Sequence, residues 1–446
     1  MIARNKRLFL DLARRASILA SCAVLLAACV TPQLSMSGET VAINELRCNA
    51  DKSVTATATL RIPGALLQTG GAILHSPDSG LTWSIAASGE RLGDVTPWFF
   101  TDSRDGPAAT RPLIVTGYKS SGLLEWTYQL AGWMQSTDAG RTWAEIAPRL
   151  PFVGSRDPID RPPPLVVVDA TGRLATLRRA PSPALLISDD QGATWSETRL
   201  PEIDFHVYHL HGNGRGRLVV VGRASPKIFG ADRLVVVQSD DSGKTWSIAM
   251  NEAADHLSCN PRMIGNADGA MLIYNPCPDY GKRYYLSADG GRTWQARVFF
   301  KYAFGALELV TALDSKRWVA LSREGQDRRS LFAWISDNGG VDWRGQKTGF
   351  AILSGNPHLM EQAIVALPDG VVLAYVSDGQ VLRSADRGET WKLIDSGLPR
   401  NGTYYLGASC TDGHGLVVLG GGQGMVARSP DGGLTWERGR LPRMNP

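Results

Sequence analysis

Aspartate side chains recur along this sequence inside copies of one short motif, Ser-x-Asp-x-Gly-x-Thr-Trp. A carboxylate can move a proton or accept hydrogen bonds from its own turn, and its neighbours decide between these roles. Here the Gly permits a backbone conformation that a Cβ would resist, and the Trp offers a large ring for packing. The motif therefore predicts a structural turn rather than a reaction centre. Its eight third-position residues are Asp78, Asp138, Asp190, Asp241, Asp289, Asn338, Asp386 and Asp431.

The spacing of the motif indicates one repeated unit. Successive motif tryptophans are separated by 45 to 60 residues, and the sixth copy alone departs from the pattern, with Asn338 at the Asp position and Asp342 at the Thr position. A period near 50 residues is typical of propeller blades and similar repeat architectures.

The segments around each motif read as β-strands. An apolar strand precedes each box, as in ALLIS and LVVVQS, a second lies further upstream, a third precedes that, and a fourth follows the Trp. Four antiparallel strands in about 50 residues make a propeller blade. We therefore expect an all-β fold, a single β-propeller of about eight four-stranded blades over residues 41–446. Seven blades remain the alternative, if the long first interval hides an irregular unit.

Composition and charge exclude several classes of protein. Hydrophobic residues make up 43% and charged residues 20%, which is a globular balance. The formal charge of +4 resides at the N-terminus, because removing the five basic residues and one acidic residue of positions 1–28 leaves 42 of each sign. The body of the chain thus has no cationic excess that would favour nucleic acid as a partner.

The N-terminus has the pattern of an export signal. Basic residues at positions 4–15 precede a 13-residue apolar run, Ala16 to Ala28, that is too short to span a bilayer. The run ends in Leu-Ala-Ala-Cys, which resembles a bacterial lipobox and implies cleavage before Cys29, acylation of Cys29 and a membrane anchor. We expect a signal peptide over 1–28, a lipidated tether over 29–40, and a position in the bacterial cell envelope, at the outer membrane.

The other cysteines predict disulfides, since an even number remains in an exported chain. A hairpin turning at Ala267-Asp268 places Cys259 opposite Cys277 across two strands. Cys48 and Cys410 each end a first strand, in the first and last blades, so a bridge between them would close the ring. The sequence contains no Cys-x-x-Cys pair, so these cysteines do not predict a zinc site.

Three histidines crowd one predicted inner strand at His206, His209 and His211. A polar channel lining explains them better than a metal site does. We expect no metal and no cofactor. The Gly-rich stretches at 212–216 and 420–424 lie at hairpin turns and lack the Lys-Ser/Thr of a phosphate loop.

The motif resembles the Asp-box of the sialidase (neuraminidase) superfamily, which also marks other propellers, including a photosystem II assembly-factor family. Arg61-Ile-Pro is similar to the Arg-Ile-Pro motif of sialidases, and residues 206–321 are similar to the middle of bacterial enzymes. The resemblance implies that Arg61, Arg223 and Arg283 bind the carboxylate of a sialic acid, which suits guanidinium geometry.

The sequence lacks the catalytic residues that this resemblance would require. The Glu expected near residue 206 is replaced by His206 and Val207, and the Tyr expected near 307 by Leu307 and Glu308. Two functions from different classes follow. The first is a non-catalytic, membrane-anchored scaffold that binds a protein or glycan partner, and the alternative is an exo-glycosidase of sialidase type. The missing Tyr and Glu favour the scaffold.

Overall fold

The computed structural model shows a ring of eight four-stranded antiparallel sheets, so the prediction of an eight-bladed β-propeller is confirmed and seven blades are excluded. The structure describes residues 40–61, 69–89, 92–93, 98–99, 113–121, 127–146, 166–168, 171, 173–178, 184–190, 194–201, 206–224, 232–253, 261–266, 269–275, 283–299, 307–324, 330–351, 364–375, 380–397, 406–422 and 424–442. Within these ranges no helix has the length and apolar character needed to cross a bilayer.

The first four blades each use four consecutive strands. They are β1 (Thr40–Cys48), β2 (Val54–Arg61), β3 (Thr69–Ser76) and β4 (Ser84–Ser88) in blade 1; β5 (Trp98–Phe99), β6 (Leu113–Ser121), β7 (Thr127–Ser136) and β8 (Ala144–Ile146) in blade 2; β9 (Val166–Val167), β10 (Leu174–Arg178), β11 (Ala184–Ser188) and β12 (Ser196–Arg199) in blade 3; and β13 (His206–Gly212), β14 (Leu218–Ala224), β15 (Arg233–Ser239) and β16 (Ser247–Ala253) in blade 4.

The last four blades repeat the arrangement. They are β17 (Arg262–Gly265), β18 (Met271–Tyr274), β19 (Arg283–Ser287) and β20 (Gln295–Val298) in blade 5; β21 (Leu309–Ala312), β22 (Trp318–Glu324), β23 (Ser330–Ser336) and β24 (Arg344–Ala351) in blade 6; β25 (Ile364–Ala366), β26 (Val372–Tyr375), β27 (Val381–Ser384) and β28 (Lys392–Ile394) in blade 7; and β29 (Leu406–Thr411), β30 (Val417–Gly421), β31 (Val426–Ser429) and β32 (Glu437–Arg438) in blade 8.

The two ends of the ring differ in the loops that they carry. Each Asp-box joins the third strand of a blade to the fourth, so the boxes and the turns between first and second strands share one end, which we call the box face. Because neighbouring strands are antiparallel, the end of every second strand and the start of every first and third strand lie at the opposite end, which we call the rim face.

Each box is a hydrogen-bonded turn, as its residue types predict. In the first box Asp78 Oδ1 accepts from the Thr82 amide over 2.8 Å, and Asp78 Oδ2 accepts from the Thr82 hydroxyl over 2.6 Å. Ser76 donates to the same carboxylate, and the Trp83 indole donates to the Gly80 carbonyl over 2.9 Å. The carboxylate oxygens are therefore hydrogen-bonded within their own turn.

These bonds also fix the charge of the box carboxylates. Hydrogen bonds from the Thr194 hydroxyl and amide and from Ser188 lower the pKa of Asp190 to about 2. A carboxylate that is stabilised as the anion in this way is a poor proton donor or acceptor near neutral pH.

The box glycines set the contact between blades. Gly80, Gly243 and Gly388 have positive φ angles of 91°, 84° and 94°. A Cβ on Gly388 would lie 2.7 Å from the side chain of Val319 in the preceding blade, and one on Gly243 would lie 2.7 Å from Leu185. Backbone conformation and interblade space thus both require glycine here.

Closure of the ring depends on contacts between its first and last blades. A disulfide joins Cys48 to Cys410, with Cα atoms 5.5 Å apart. Arg440 bridges backbone to backbone with the first box, because its amide donates to the Leu81 carbonyl over 2.7 Å and its carbonyl accepts from the Trp83 amide over 3.1 Å. The first and last blades are therefore joined by a covalent bond and by hydrogen bonds.

Candidate functional site

The rim face of blades 4, 5 and 6 carries a concentration of arginines at strand ends. Arg223 lies near the end of β14, Arg262 begins β17, Arg283 begins β19 and Arg323 lies near the end of β22. Strand direction places all four at the same end of three consecutive blades. Together with Asp232 and Glu308, which pair with two of them, we call these residues the rim cluster.

The boundary between blades 4 and 5 contains the first part of the rim cluster. Alternate residues of β14 and β15, among them Val221 and Leu234, pack against Tyr285 of blade 5 in one apolar core. Side chains two positions along a strand share a face, so Arg223, Asp232 and Arg283 lie at the rim end of this boundary.

The positive charge at this boundary is partly neutralised. Arg223 forms an ion pair with Asp232 over 2.6 Å, with both side chains about a quarter exposed (30% and 24%). Arg283 is exposed and forms no ion pair with a residue that the structure describes. The rim end of this boundary therefore presents one paired and one solvent-accessible guanidinium group.

The boundary between blades 5 and 6 contains the second part. Glu308 is 4% exposed, and its carboxylate accepts from Arg323 Nε at 2.8 and 3.0 Å. Burial raises the pKa of Glu308, while the charges of Arg323 and of Arg262 from blade 5 act in the opposite direction. A buried carboxylate of blade 6 is thus paired with a guanidinium group of its own blade, and the charge of an arginine of blade 5 also acts on it.

The histidines of β13 lie beside this cluster on the innermost strand of blade 4. The ring nitrogen Nε2 of His209 hydrogen-bonds the Pro261 carbonyl of blade 5 over 2.7 Å, and the His206 and Tyr208 rings lie 5.3 Å apart. Among the described residues no group of three or more His, Cys, Asp or Glu side chains could hold a metal ion. His209 therefore acts as an interblade contact.

The structure places two of the three predicted carboxylate-binding arginines at one boundary between blades. Arg223 and Arg283 lie at the rim end of the boundary between blades 4 and 5. Arg61 ends β2 of blade 1 and is exposed at the same face, halfway around the ring from blade 5. The substrate-binding role of Arg61, Arg223 and Arg283 stays a prediction.

One of the two predicted disulfides lies within the described residues. The structure joins Cys48 to Cys410. Cys259 and Cys277 lie outside the described residues, although the pairing of Arg262 with Tyr274 has the register that the hairpin prediction used. Cys29, the signal segment and the tether up to residue 39 also lie outside them, while Thr40 begins β1, so lipidation stays a prediction.

Sequence reasoning missed Arg262 and Arg323 and assigned Glu308 no role. The sequence signal for these residues was their position at strand ends on the rim face of neighbouring blades. Only the structure shows that Glu308 pairs with Arg323 and that Arg262 of the neighbouring blade lies close enough to act on this carboxylate.

As a chemical surface, the rim cluster suits binding. It contains four guanidinium groups and two carboxylates, and guanidinium groups bind carboxylates through two parallel hydrogen bonds. The position where sialidases carry their nucleophile holds Leu307, which is 1% exposed, and Glu308, whose carboxylate Arg323 already binds. The arrangement can hold an acidic group, but these residues offer no nucleophile.

A family profile described as photosynthesis system II assembly factor YCF48 matches residues 181–444. The photosystem II assembly protein Ycf48 of Thermosynechococcus vestitus is 28% identical over 190 residues, which cover 41% of this chain and 48% of that protein. The corresponding protein of Synechococcus sp. is 28% identical over 165 residues, 35% of this chain and 42% of that protein. The chain thus spans about half the length of the curated relatives that it matches.

Solved structures with similar folds are distant. YCF48 bound to a D1 peptide has a TM-score of 0.40 at 22% identity, covering 59% of this chain and 76% of that one. YCF48 from Cyanidioschyzon merolae has a TM-score of 0.44 at 14% identity, covering 74% and 97%. A xyloglucanase from Xanthomonas campestris has a TM-score of 0.40 at 15% identity, covering 91% and 73%.

The sequence matches correct the predicted location. The family and both curated relatives are photosystem II assembly proteins. Such a protein works where that photosystem is built, at the thylakoid rather than at an outer membrane. The prediction of an outer-membrane position in a bacterial cell envelope is therefore wrong.

Proposed function

Since this chain belongs to the YCF48 family of photosystem II assembly factors, we propose that it is a non-catalytic propeller that binds a protein partner through the rim cluster. An assembly factor acts by holding other proteins, and a propeller offers a rigid ring of blade ends for that purpose. The observation that carries the proposal is the convergence of Arg223, Arg262, Arg283 and Arg323 on the rim face of three consecutive blades.

The charges at the rim indicate the chemistry of the partner. Asp232 neutralises Arg223 and Glu308 neutralises Arg323, which leaves a net positive charge on the cluster as a whole. Arg283 is the most accessible of the four, because it begins its strand exposed while the others are partly buried. An acidic or carboxylate-bearing segment of a protein fits this surface, with Arg283 making the first contact.

The proposal includes a tether to the membrane. The lipobox at Leu26–Cys29 supports acylation of Cys29, and the tether of residues 29–40 would leave the ring near the bilayer surface where a membrane complex is assembled. We place the anchor at Cys29 without assigning it to an outer membrane.

A titration tests the binding role of the rim. The probe is a D1 peptide, the ligand named for a solved YCF48 structure, and the readout is fluorescence anisotropy with the full chain. Arg283→Ala should weaken binding roughly tenfold to a hundredfold, because a hydrogen bond to a charged group contributes about 1.5–3 kcal/mol. Arg215→Ala is the matched control, since Arg215 is an exposed arginine at the box-face end of the same region of the ring.

The outcomes separate the scaffold from the glycosidase alternative. Equal loss of binding in both variants, or none in either, contradicts a role for the rim cluster. No hydrolysis of a fluorogenic sialoside is expected, since a covalent mechanism needs a nucleophile that the rim cluster does not offer. Hydrolysis that Arg283→Ala abolishes would replace the scaffold by an enzyme.

A further inference from the structure

The sixth Asp-box has the reverse hydrogen-bond polarity of the others. In an ordinary box a threonine hydroxyl donates to the Asp carboxylate, as Thr390 does to Asp386 over 2.5 Å. In the sixth box the Asn338 side-chain amide donates to the Asp342 carboxylate over 2.9 Å. Asn338 Oδ1 accepts from the Asp342 amide over 2.9 Å, so the turn is kept although donor and acceptor have changed places.

The exchange places an asparagine directly before a glycine. An Asn-Gly pair is prone to deamidation because glycine has no side chain to hinder its backbone nitrogen. The Gly339 nitrogen attacks Cγ of Asn338 and ammonia leaves, which gives a cyclic imide. Water then opens either carbonyl of the ring, and the product is aspartate or isoaspartate at position 338. No reactant other than water is needed.

The folded box opposes this reaction at both reacting groups. The Gly339 amide donates to the Lys316 carbonyl over 2.8 Å, with φ held at 72°. The Asn338 side chain is held through Oδ1 and Nδ2 by residue 342, on the far side of the turn. Attack requires both sets of bonds to break, so the reaction must pass through a local opening of the box.

The sixth box is also a fastening point between blades. The Tyr284 hydroxyl of blade 5 hydrogen-bonds the Gly340 carbonyl over 2.8 Å and the Val341 carbonyl over 3.1 Å. Tyr284 is itself 2% exposed. A change in the backbone of residues 338–342 therefore acts on the boundary between blades 5 and 6, the same boundary that Glu308 and Arg262 share at the rim face.

We propose that Asn338 is a deamidation site that the closed box protects and whose product unlocks blade 6 from blade 5. Aspartate at 338 has no amide to donate and faces Asp342, so two carboxylates replace a hydrogen-bonded pair. Isoaspartate lengthens the turn backbone and displaces the carbonyls that Tyr284 holds. The reaction requires the box to open, and its product then favours the open box.

The rate experiment compares three Asn-Gly pairs of the full chain by peptide mass, in mildly alkaline buffer, with the protein folded or unfolded in guanidinium chloride. Asn213–Gly214 is the internal control, because it lies in another blade and its Oδ1 accepts from the Arg215 and Arg217 amides, so changes in the sixth box should not reach it. Asn401–Gly402 is the third pair. All three should react in the unfolded chain. In the folded chain Asn338 should react at least about tenfold more slowly than when unfolded, since reaction is slowed by the equilibrium constant of local opening.

Variants separate local opening from global unfolding. Asp342→Ala removes the acceptor of the Asn338 amide and should raise the folded-state rate at Asn338 while the rate at Asn213 stays constant. Asn338→Asp should lower the melting temperature, and Asn338→Asp with Asp342→Thr, which creates an ordinary box, should restore it. Equal rates at Asn338 in folded and unfolded protein, no effect of Asp342→Ala, or an Asn338→Asp variant as stable as the parent would each overturn the proposal.

Discussion

Arg428 of the last blade donates a hydrogen bond to the backbone carbonyl of Asp78 in the first box, over 2.7 Å and across 350 positions of sequence. The equivalent arginine of blade 7, Arg383, donates in the same way to the Gly432 carbonyl of blade 8 over 2.8 Å. Blade 8 thus holds blade 1 with a contact that blades 7 and 8 also use. The Cys48–Cys410 disulfide adds a covalent link at this junction alone among the described residues.

Loss of this disulfide should destabilise the ring strongly. Cys410→Ser should lower the free energy of unfolding by about 3–5 kcal/mol in the loop-entropy account, since the bridge spans most of the chain. Cys48→Ser should cost the same, and the double variant no more than either single one, which denaturant unfolding can measure. Additive losses would show that the two thiols act independently rather than as one bridge.

Acid should weaken the boundary between blades 6 and 7 through Glu389. Hydrogen bonds from Arg344 and Arg317 lower the pKa of Glu389 from its ordinary 4.5 to about 2. An acid with a lowered pKa stabilises the fold above its unfolded-state pKa, and this contribution is lost as the pH falls from about 4.5 towards about 2. Glu389→Gln should therefore reduce the pH dependence of unfolding in that interval.

Glu252→Gln is the control for this measurement, because Glu252 lies exposed on the outer strand of blade 4. Its pH profile should match that of the parent. If Glu389→Gln leaves the profile unchanged as well, the two arginines do not stabilise the folded ring through this carboxylate.

A second disulfide is expected between Cys259 and Cys277. β17 pairs with β18 so that Arg262 lies opposite Tyr274 and Gly265 opposite Met271. Three further positions in the same register would bring the two cysteines opposite each other. The bridge closes a short loop, so its contribution should be about 3 kcal/mol. Non-reducing peptide mapping of exported protein decides the matter, and recovery of both thiols unmodified would reject the bridge.

The fold was accessible from sequence because each blade repeats a local signal. The box residues act within eight positions of one another, as in the bonds from Thr82 and Ser76 to Asp78, so their types alone predict the turn. The hairpin register around Met263 and Ile273 was similarly fixed by a short loop. Repetition of these units then gave the number of blades.

The contacts between blades were not accessible in the same way. Arg317 donates to the backbone carbonyl of Arg387, 70 positions away, and pairs with Glu389. The residue before the second strand is also an arginine in blades 3 and 4, and Arg217 of blade 4 likewise bonds the box of the next blade through the Gly290 carbonyl. The other five blades carry different residues at this position, so the repeat motif alone did not mark it. Glu308 and Arg323 illustrate the same point at the rim. The resemblance to sialidases predicted a Tyr near position 307 and gave no sign of the buried ion pair between these two residues.

Acylation of Cys29 predicts a dependence of membrane attachment on one thiol. Cys29→Ala should move the protein from the membrane fraction to the soluble fraction or leave its precursor uncleaved, because several acyl chains are needed for firm anchoring. Cys22→Ala, within the signal segment, should leave processing unchanged. A Cys29→Ala protein that matures and sediments with membranes would exclude the lipid anchor.

Site-specific crosslinking tests the central claim most directly, that a protein partner binds at the rim cluster. A benzophenone amino acid replaces Val298, which is 62% exposed and lies opposite Arg283 on the neighbouring strand, in one full-length variant. In another variant it replaces Arg215, at the opposite face, and each protein is irradiated with the D1 peptide. The account predicts a crosslink from position 298 that excess unlabelled peptide suppresses, and none from position 215. Crosslinking from position 215 with none from position 298 would place the partner on the box face and contradict the account.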